Sequence, residues 1–181
     1  QIPIKREFSS PGAGWNAGPW NDSTWNTERA TSVVIFAGGQ WTFANFGEDL
    51  LAWQQNGKIY TWDTSGGMTS TNRASAVSNA PTANRLGLMT APDRHVVCFG
   101  TETTIGTTST QDDLFIRWAD QESSTDWTPT ATNTAGSQRL SGGSRIESAL
   151  LAKQQVLIWT DTTLFSMRFV GPPFTFGFSN L

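Results

Sequence analysis

The clearest local signal in the sequence is the run Asp49-Leu50-Leu51-Ala52-Trp53-Gln54-Gln55-Asn56-Gly57-Lys58-Ile59-Tyr60-Thr61-Trp62-Asp63. Two short segments rich in apolar and aromatic residues, 50–54 and 58–62, flank a connection that ends in Asn56-Gly57. Asn-Gly between two such segments is the strongest short hairpin signal, because both residues tolerate positive φ. The run therefore predicts a β-hairpin that is closed by a type I′ turn at Asn56-Gly57.

Similar segments recur along the whole chain. Short apolar stretches alternate with turn residues, and helical periodicity is almost absent. The further predicted strands cover residues 40–44, 86–89, 96–100, 114–118, 156–159 and 164–169. The sequence therefore predicts an all-β fold of several short antiparallel sheets, joined by long loops rich in Gly, Ser, Thr and Asn.

The strand units resemble imperfect repeats. Three aromatic residues close an apolar segment just before a turn: Trp53, Phe99 and Trp159. Three segments end on an aromatic residue followed closely by Asp: Trp62 with Asp63, Trp118 with Asp120, and Trp159 with Asp161. The interval of about 45 to 60 residues is close to that of β-propeller blades, which stack because one small sheet leaves its faces open. A β-sandwich with coincidental aromatic residues is the alternative.

Two segments carry more specific expectations. Ser144 and Glu147 fit a helix capping box, and residues 148–155 are good helix formers, so local signals favour a two-turn helix there. Val156–Trp159 is apolar on both faces, which predicts a central strand that is covered on both sides.

Composition limits the classes of function. The net charge is −3, and the cations are scattered, which disfavours tight binding to nucleic acid and leaves only weak, non-specific contact with DNA. No apolar window is long enough to span a bilayer, and the N-terminus has no signal-peptide core, so no membrane anchor is expected. The chain begins at Gln1 instead of Met, which indicates processing or a segment of a longer protein.

Candidate chemical groups are few. His95 is the only histidine and Cys98 the only cysteine, and their spacing on a strand places them on opposite faces. A carboxylate-rich stretch contains no pair that the sequence places face to face across a substrate: Asp112, Asp113, Asp120, Glu122 and Asp126. We therefore expect no catalytic residues, no metal, no cofactor and no enzymatic activity.

The most unusual segment is a loop with regularly spaced tryptophans, Trp15, Trp20 and Trp25, each beside Asn or Gly. Large apolar side chains in a loop often mark an interface, so these three residues are the candidate interface with a neighbouring subunit. Two alternatives stay open: a platform that stacks on sugars, and a loop that folds over its own sheet edges. The sequence thus divides into a Trp- and Gly-rich arm with a leading strand (1–38) and a propeller-like portion (39–181).

Longer motifs carry a family resemblance. The motifs are Asn45-Phe46-Gly47-Glu48-Asp49-Leu50, Ile59-Tyr60-Thr61-Trp62-Asp63, Arg117-Trp118-Ala119-Asp120-Gln121-Glu122, residues 126–136, and residues 156–177 ending in Val170-Gly171-Pro172-Pro173-Phe174. In this order they resemble a family of large virion structural proteins of tailed bacteriophages, from about residue 12 to residue 181. The wider relatives are the tail nozzle and packaged-DNA stabilisation proteins of short-tailed phages, which look like β-propellers set in a ring.

The resemblance implies a function. A chain of this family is a structural component of the phage tail, located in the virion, and forms part of the conduit for DNA ejection. It implies a homo-oligomeric ring, sixfold by resemblance, with adaptor and fibre proteins as partners. It also implies a strand at residues 147–152 and an internal fragment of a longer chain. The rival function is a carbohydrate-binding module of a phage tail that recognises the host receptor through Trp15, Trp20 and Trp25.

Overall fold

The computed structural model describes residues 39–69, 71–91 and 93–181. These residues form twelve β-strands in three four-stranded sheets, together with two short 3-10 turns and no α-helix. The all-β prediction is therefore confirmed for this part of the chain. Trp15, Trp20 and Trp25 lie outside the described residues, so the candidate interface and the division at residue 38 stay predictions. Neither helical turn within the described ranges could reach across a lipid bilayer.

Each sheet is an antiparallel meander in which neighbouring strands follow one another along the chain. Sheet 1 contains β1 (Trp41–Phe46), β2 (Asp49–Gln54), β3 (Ile59–Trp62) and β4 (Ser75–Ala76). Sheet 2 contains β5 (Leu86–Met89), β6 (Val96–Phe99), β7 (Phe115–Trp118) and β8 (Gly136–Arg139). Sheet 3 contains β9 (Ile146–Leu151), β10 (Val156–Thr160), β11 (Leu164–Phe169) and β12 (Phe176–Asn180).

The predicted hairpin forms between β2 and β3, but its turn differs from the expected type. The Gly57 N–H donates to the Gln54 carbonyl at 3.0 Å, which makes Gln55 and Asn56 the central residues. Only Asn56 has positive φ, at 54°, whereas a type I′ turn needs positive φ at both central residues. The type I′ prediction is therefore wrong. A contact outside the hairpin contributes, since the Asn56 N–H donates to the Asn84 carbonyl at 2.6 Å.

The helix favoured by local signals at 144–155 is also wrong, and the strand implied by the family resemblance is present as β9. The capping residue is occupied elsewhere: the backbone N–H of Ser144 donates to Asp161 at 2.7 Å, and its hydroxyl donates to the same carboxylate at 2.5 Å. β9 pairs instead along β10, with Leu151 opposite Val156. Long-range strand pairing thus outweighs a weak local helix propensity.

The three sheets are stacked, with sheet 2 in the middle. One buried cluster joins Leu51, Trp53 and Ile59 of sheet 1 to Val96 and Cys98 of sheet 2. A second buried cluster lies on the other face of sheet 2 and joins it to sheet 3; it includes Val97, Phe99, Ile116, Ile158 and Met167. Every residue of β6 is buried as a result. Each internal sheet face is therefore covered by a neighbouring sheet, as a sheet with two apolar faces requires.

The first strands of the three sheets lie next to one another, because β5 contacts both β1 and β9. The backbone N–H of Gly87 in β5 donates to the Thr42 hydroxyl in β1 at 3.0 Å, which joins the first two of these strands directly. Within the described part of the chain the stack stays open at both ends and closes into neither a barrel nor a ring.

Only part of the expectation for Val156–Trp159 is confirmed. The strand is central in sheet 3, between β9 and β11, as predicted. Val156 and Ile158 are buried on the face toward sheet 2, whereas Leu157 and Trp159 on the other face are only half-buried. The second apolar face therefore has no complete cover within the described residues.

This difference between the two faces predicts different costs of truncation. We expect Ile158→Ala to lower the free energy of unfolding by about 2–5 kcal/mol, because the side chain is fully buried and leaves a cavity. Leu157→Ala removes an equally large side chain from the next position in β10 and should cost clearly less. Urea denaturation of the two variants measures both values, and equal losses would contradict the one-sided burial.

Candidate interaction surface

The three sheets use equivalent residues to face the next sheet in chain order. We call the side of a sheet toward the following sheet its forward face, and the other side its backward face. Leu51 and Trp53 in β2 lie on the forward face of sheet 1, and Val97 and Phe99 in β6 lie on that of sheet 2. Leu157 and Trp159 occupy the corresponding positions in β10. Trp53, Phe99 and Trp159 are thus structural equivalents on second strands, as the repeat predicted.

The forward face of sheet 3 carries four apolar side chains, Leu150, Leu157, Trp159 and Leu164. Ser148 and the buried Ser166 lie on the same face, paired with Trp159 and Leu157. Leu150 pairs with Leu157, and Trp159 pairs with Leu164, so the four side chains lie on the same side of three adjacent strands. Leu150 is 58% exposed and the other three are half-buried. Trp53, which is equivalent to Trp159, is only 1% exposed. The forward-face position that is buried in sheet 1 is therefore only half-buried in sheet 3. We call this the forward surface.

The opposite end of the stack carries an aromatic surface on the backward face of sheet 1, formed by Trp41, Phe43, Leu50, Tyr60 and Trp62. The Trp41 and Phe43 rings are stacked with centroids 6.4 Å apart, and the Tyr60 ring lies 5.8 Å from that of Trp41. Phe43 is 52% exposed. We call this the backward surface. Both ends of the stack thus present apolar side chains of the kind that mark interaction sites.

A glycine allows the first two sheets to approach closely. A Cβ atom at Gly87 would lie 2.1 Å from Nε1 of Trp53, so the indole ring lies directly against the backbone of β5. The same Nε1–H donates to the Cys98 sulfur at 3.2 Å, which gives a buried indole its polar partner. Burial raises the pKa of the Cys98 thiol, which keeps this cysteine neutral. Cys98 therefore serves in packing.

The structure brings His95 together with Asp93 and Thr134, an arrangement that the sequence analysis did not find. Nδ1 of His95 lies 3.0 Å from Asp93 Oδ2, and Nε2 lies 3.0 Å from the Thr134 hydroxyl. The order of groups resembles that of a hydrolase triad. The Thr134 hydroxyl donates to Asp120 at 2.6 Å, and the histidine ring is fully buried against the rings of Phe169 and Phe176, so these groups form a buried hydrogen-bond network. The cluster joins sheet 2 to sheet 3, and its only sequence signal was the Asp93-x-His95 spacing.

The carboxylates that follow aromatic residues hold loops. Asp63 accepts a hydrogen bond from the Ser65 N–H at 2.8 Å, Asp120 accepts one from the Thr134 N–H at 2.7 Å, and Asp161 accepts one from Ser144. These three aspartates are not equivalent, because Asp63 and Asp120 follow third strands whereas Asp161 follows a second strand. The aromatic–Asp pattern therefore marks aspartates that accept hydrogen bonds from loop backbone groups, and it does not mark equivalent positions of a repeat.

The carboxylate-rich stretch around residue 112 is used in ion pairs and hydrogen bonds. Asp112 lies 2.6 Å from Arg139 Nε, and Asp113 lies 3.3 Å from Arg85. Searched over the described ranges, the structure contains no group of three or more His, Cys, Asp or Glu residues placed to hold a metal ion. These carboxylates contribute to the stability of loops between strands.

No family model matches this chain, and searches of curated proteins and of solved structures also find no match. The phage-tail resemblance therefore stays a prediction that rests on the motifs.

The close approach of Trp53 to Gly87 predicts a selective effect of adding one methyl group. Gly87→Ala should lower the free energy of unfolding by about 1–3 kcal/mol, because a rigid buried indole would have to move. Gly57→Ala is the control, since its Cβ would meet only the flexible end of the Gln54 side chain, at 2.9 Å. Thermal or urea denaturation should show a near-neutral control, and equal losses would contradict the proposed packing.

The hydrogen bonds to Asp120 predict a dependence on pH. Hydrogen bonds from the side chain and backbone of Thr134 lower the pKa of Asp120 below its usual value. A lowered carboxyl pKa stabilises the fold above about pH 4 and loses this effect as the pH falls through the folded-state value. Asp120→Asn should therefore weaken the loss of stability that the fold shows as the pH falls below about 4. An unchanged slope in Asp120→Asn would contradict this role.

Proposed function

We propose that this chain is a structural component of a bacteriophage virion, namely a propeller portion of a tail nozzle protein. In this role it forms part of the homo-oligomeric ring that holds the genome and through which the genome is ejected. The ordered motifs at 45–50, 117–122 and 156–177 support the family. Adaptor and fibre proteins of the tail are the expected partners.

The arrangement of the sheets supports the propeller. Propeller blades are four-stranded antiparallel sheets that stack around a central axis, with the first strand of each blade innermost. The three sheets here are four-stranded meanders, they are stacked in chain order, and their first strands are neighbours. A sandwich would place two sheets against each other, whereas here the middle sheet is covered on both faces.

The surface charge suits a passage for DNA. The chain has 12 Lys and Arg residues against 15 Asp and Glu residues, and its net charge is −3. Several of the arginines are engaged by carboxylates, such as Arg85 by Asp113 and Arg139 by Asp112. A weakly acidic conduit does not neutralise phosphates, so DNA can move through it without tight binding.

The observation that carries the proposal is the pair of apolar surfaces that the described residues leave only partly covered at the two ends of the stack. An isolated domain rarely leaves such surfaces open, so they favour a larger assembly in which further sheets cover them. The direct test is electron microscopy of the protein together with light scattering of its mass. A closed ring with rotational symmetry is the expected result, and a stable monomer at high concentration would contradict the proposal.

The same assay tests the candidate interface. Combined Trp15→Ala, Trp20→Ala and Trp25→Ala changes should reduce the ring population while the thermal unfolding of residues 39–181 stays unchanged. Met68→Ala is the matched control, because Met68 is an exposed apolar residue outside both end surfaces. Intact rings in the triple variant would place the subunit contact elsewhere.

The carbohydrate-binding alternative is favoured by one feature, the flat stacked pair of Trp41 and Phe43 with interplanar angle 12°. Phe43 is 52% exposed, and an exposed aromatic ring is suited to stacking on a sugar face. A glycan array distinguishes the two functions. Specific binding that is lost in Phe43→Ala or in the Trp15, Trp20 and Trp25 variant would favour the receptor-binding module.

A further inference from the structure

The forward surface repeats a contact that the chain already makes twice. On sheet 1, Trp53 lies on Gly87 in the first strand of sheet 2. On sheet 2, Phe99 belongs to the buried cluster against which Ala149, in the first strand of sheet 3, is packed. On sheet 3, Trp159 is directed away from sheet 2, and within the described part of the chain it is only half-buried. The third copy of this contact has the aromatic residue, Trp159, but the described residues provide no first strand of a next sheet to cover it.

We propose that the forward surface binds a fourth four-stranded antiparallel sheet, whose first strand carries Gly or Ala under Trp159. The inference rests on the proposed propeller architecture. It adds which structure covers the forward surface and which residues that structure must carry. The partner sheet continues the two existing interfaces in direction and spacing. Its backward face also needs aliphatic side chains opposite Leu150, Leu157 and Leu164.

Strand register identifies the position that must be small. Trp53, Phe99 and Trp159 are the aromatic residues on the forward faces. In each sheet, the residue just before this aromatic residue pairs with one residue of the first strand. These paired residues are Phe43 in sheet 1, Gly87 in sheet 2 and Ala149 in sheet 3. Gly87 and Ala149, which pack against the sheet that precedes their own in the chain, are both small residues. We call this the receiving position.

The receiving position excludes a second copy of sheet 1 as the partner. Sheet 1 has Phe43 there, stacked on Trp41 and 52% exposed, so a large ring stands where Gly87 and Ala149 leave room for the preceding sheet. Two copies of this chain therefore cannot join the forward surface of one to the backward surface of the other in the register that sheets 1, 2 and 3 share. A sheet with Gly or Ala at the receiving position has no such obstacle.

The test uses the full chain with a second copy of residues 140–181 joined after Leu181. This extension adds another sheet 3, which has Ala149 at its receiving position and normally lies on a forward face. The added copy also carries Trp159→Phe, so that the original Trp159 is unique in its peptide. Hydroxyl-radical footprinting with mass spectrometry then measures the oxidation rate of the original Trp159 side chain.

We expect the extension to slow oxidation of Trp159 several-fold, toward the rate of Trp53, while amide exchange shows that the added strands are folded. The matched control is the same extension with Ala149→Phe in the added copy, which reproduces sheet 1 at the receiving position and should leave Trp159 reactive.

Three results would overturn the inference. Trp159 could stay as reactive as in the unextended chain, or the added strands could remain unfolded although the forward surface is available to cover them. Concentration-dependent protection of Trp159 in the unextended chain would instead identify a second copy as the partner. None of these results bears on whether the protein forms a virion ring, which electron microscopy tests separately.

Discussion

A four-stranded sheet with two apolar faces is stable in water only when both faces are covered, and this requirement organises the whole described chain. Sheet 2 meets it completely, because clusters around Trp53 and around Phe99 cover its two sides. The contact of Trp53 with Gly87 shows how closely the two sheets pack, because the indole ring of sheet 1 lies directly on the backbone of sheet 2. Within residues 39–69, 71–91 and 93–181, sheets 1 and 3 meet it on one side only, and their outer faces are the features that most need an explanation.

Buried polar groups follow the same logic. The buried His95 has a partner at each ring nitrogen, and the buried Glu102 carboxylate accepts hydrogen bonds from Thr82 and from the Gly106 N–H. Side chains of Thr, Ser, Asn and Asp satisfy loop backbone groups throughout, which accounts for their abundance in a chain with few charges. The arrangement therefore favours a rigid scaffold, in agreement with the proposed structural role.

The sequence predicted those features that depend on local pattern. The all-β fold, the hairpin between β2 and β3 and the central place of Val156–Trp159 follow from alternation, turn residues and apolar runs. The features it missed depend on distant partners. The turn at Asn56 is held by Asn84, and the capping signal at Ser144 is taken by Asp161, so local propensity could indicate neither outcome. The equivalence of Trp53, Phe99 and Trp159 was visible in sequence, but the direction in which each points required the strand register.

The central claim is that the stack of sheets continues beyond the forward surface. The most direct measurement is the solvent exposure of Leu157 and Trp159 in the intact assembly, by side-chain footprinting of the assembled particle or by a density map that resolves β10. The account predicts that both residues are as protected there as Leu51 and Trp53 are in this chain, which are each 1% exposed. Leu157 and Trp159 that remain half-exposed in the complete particle would contradict it.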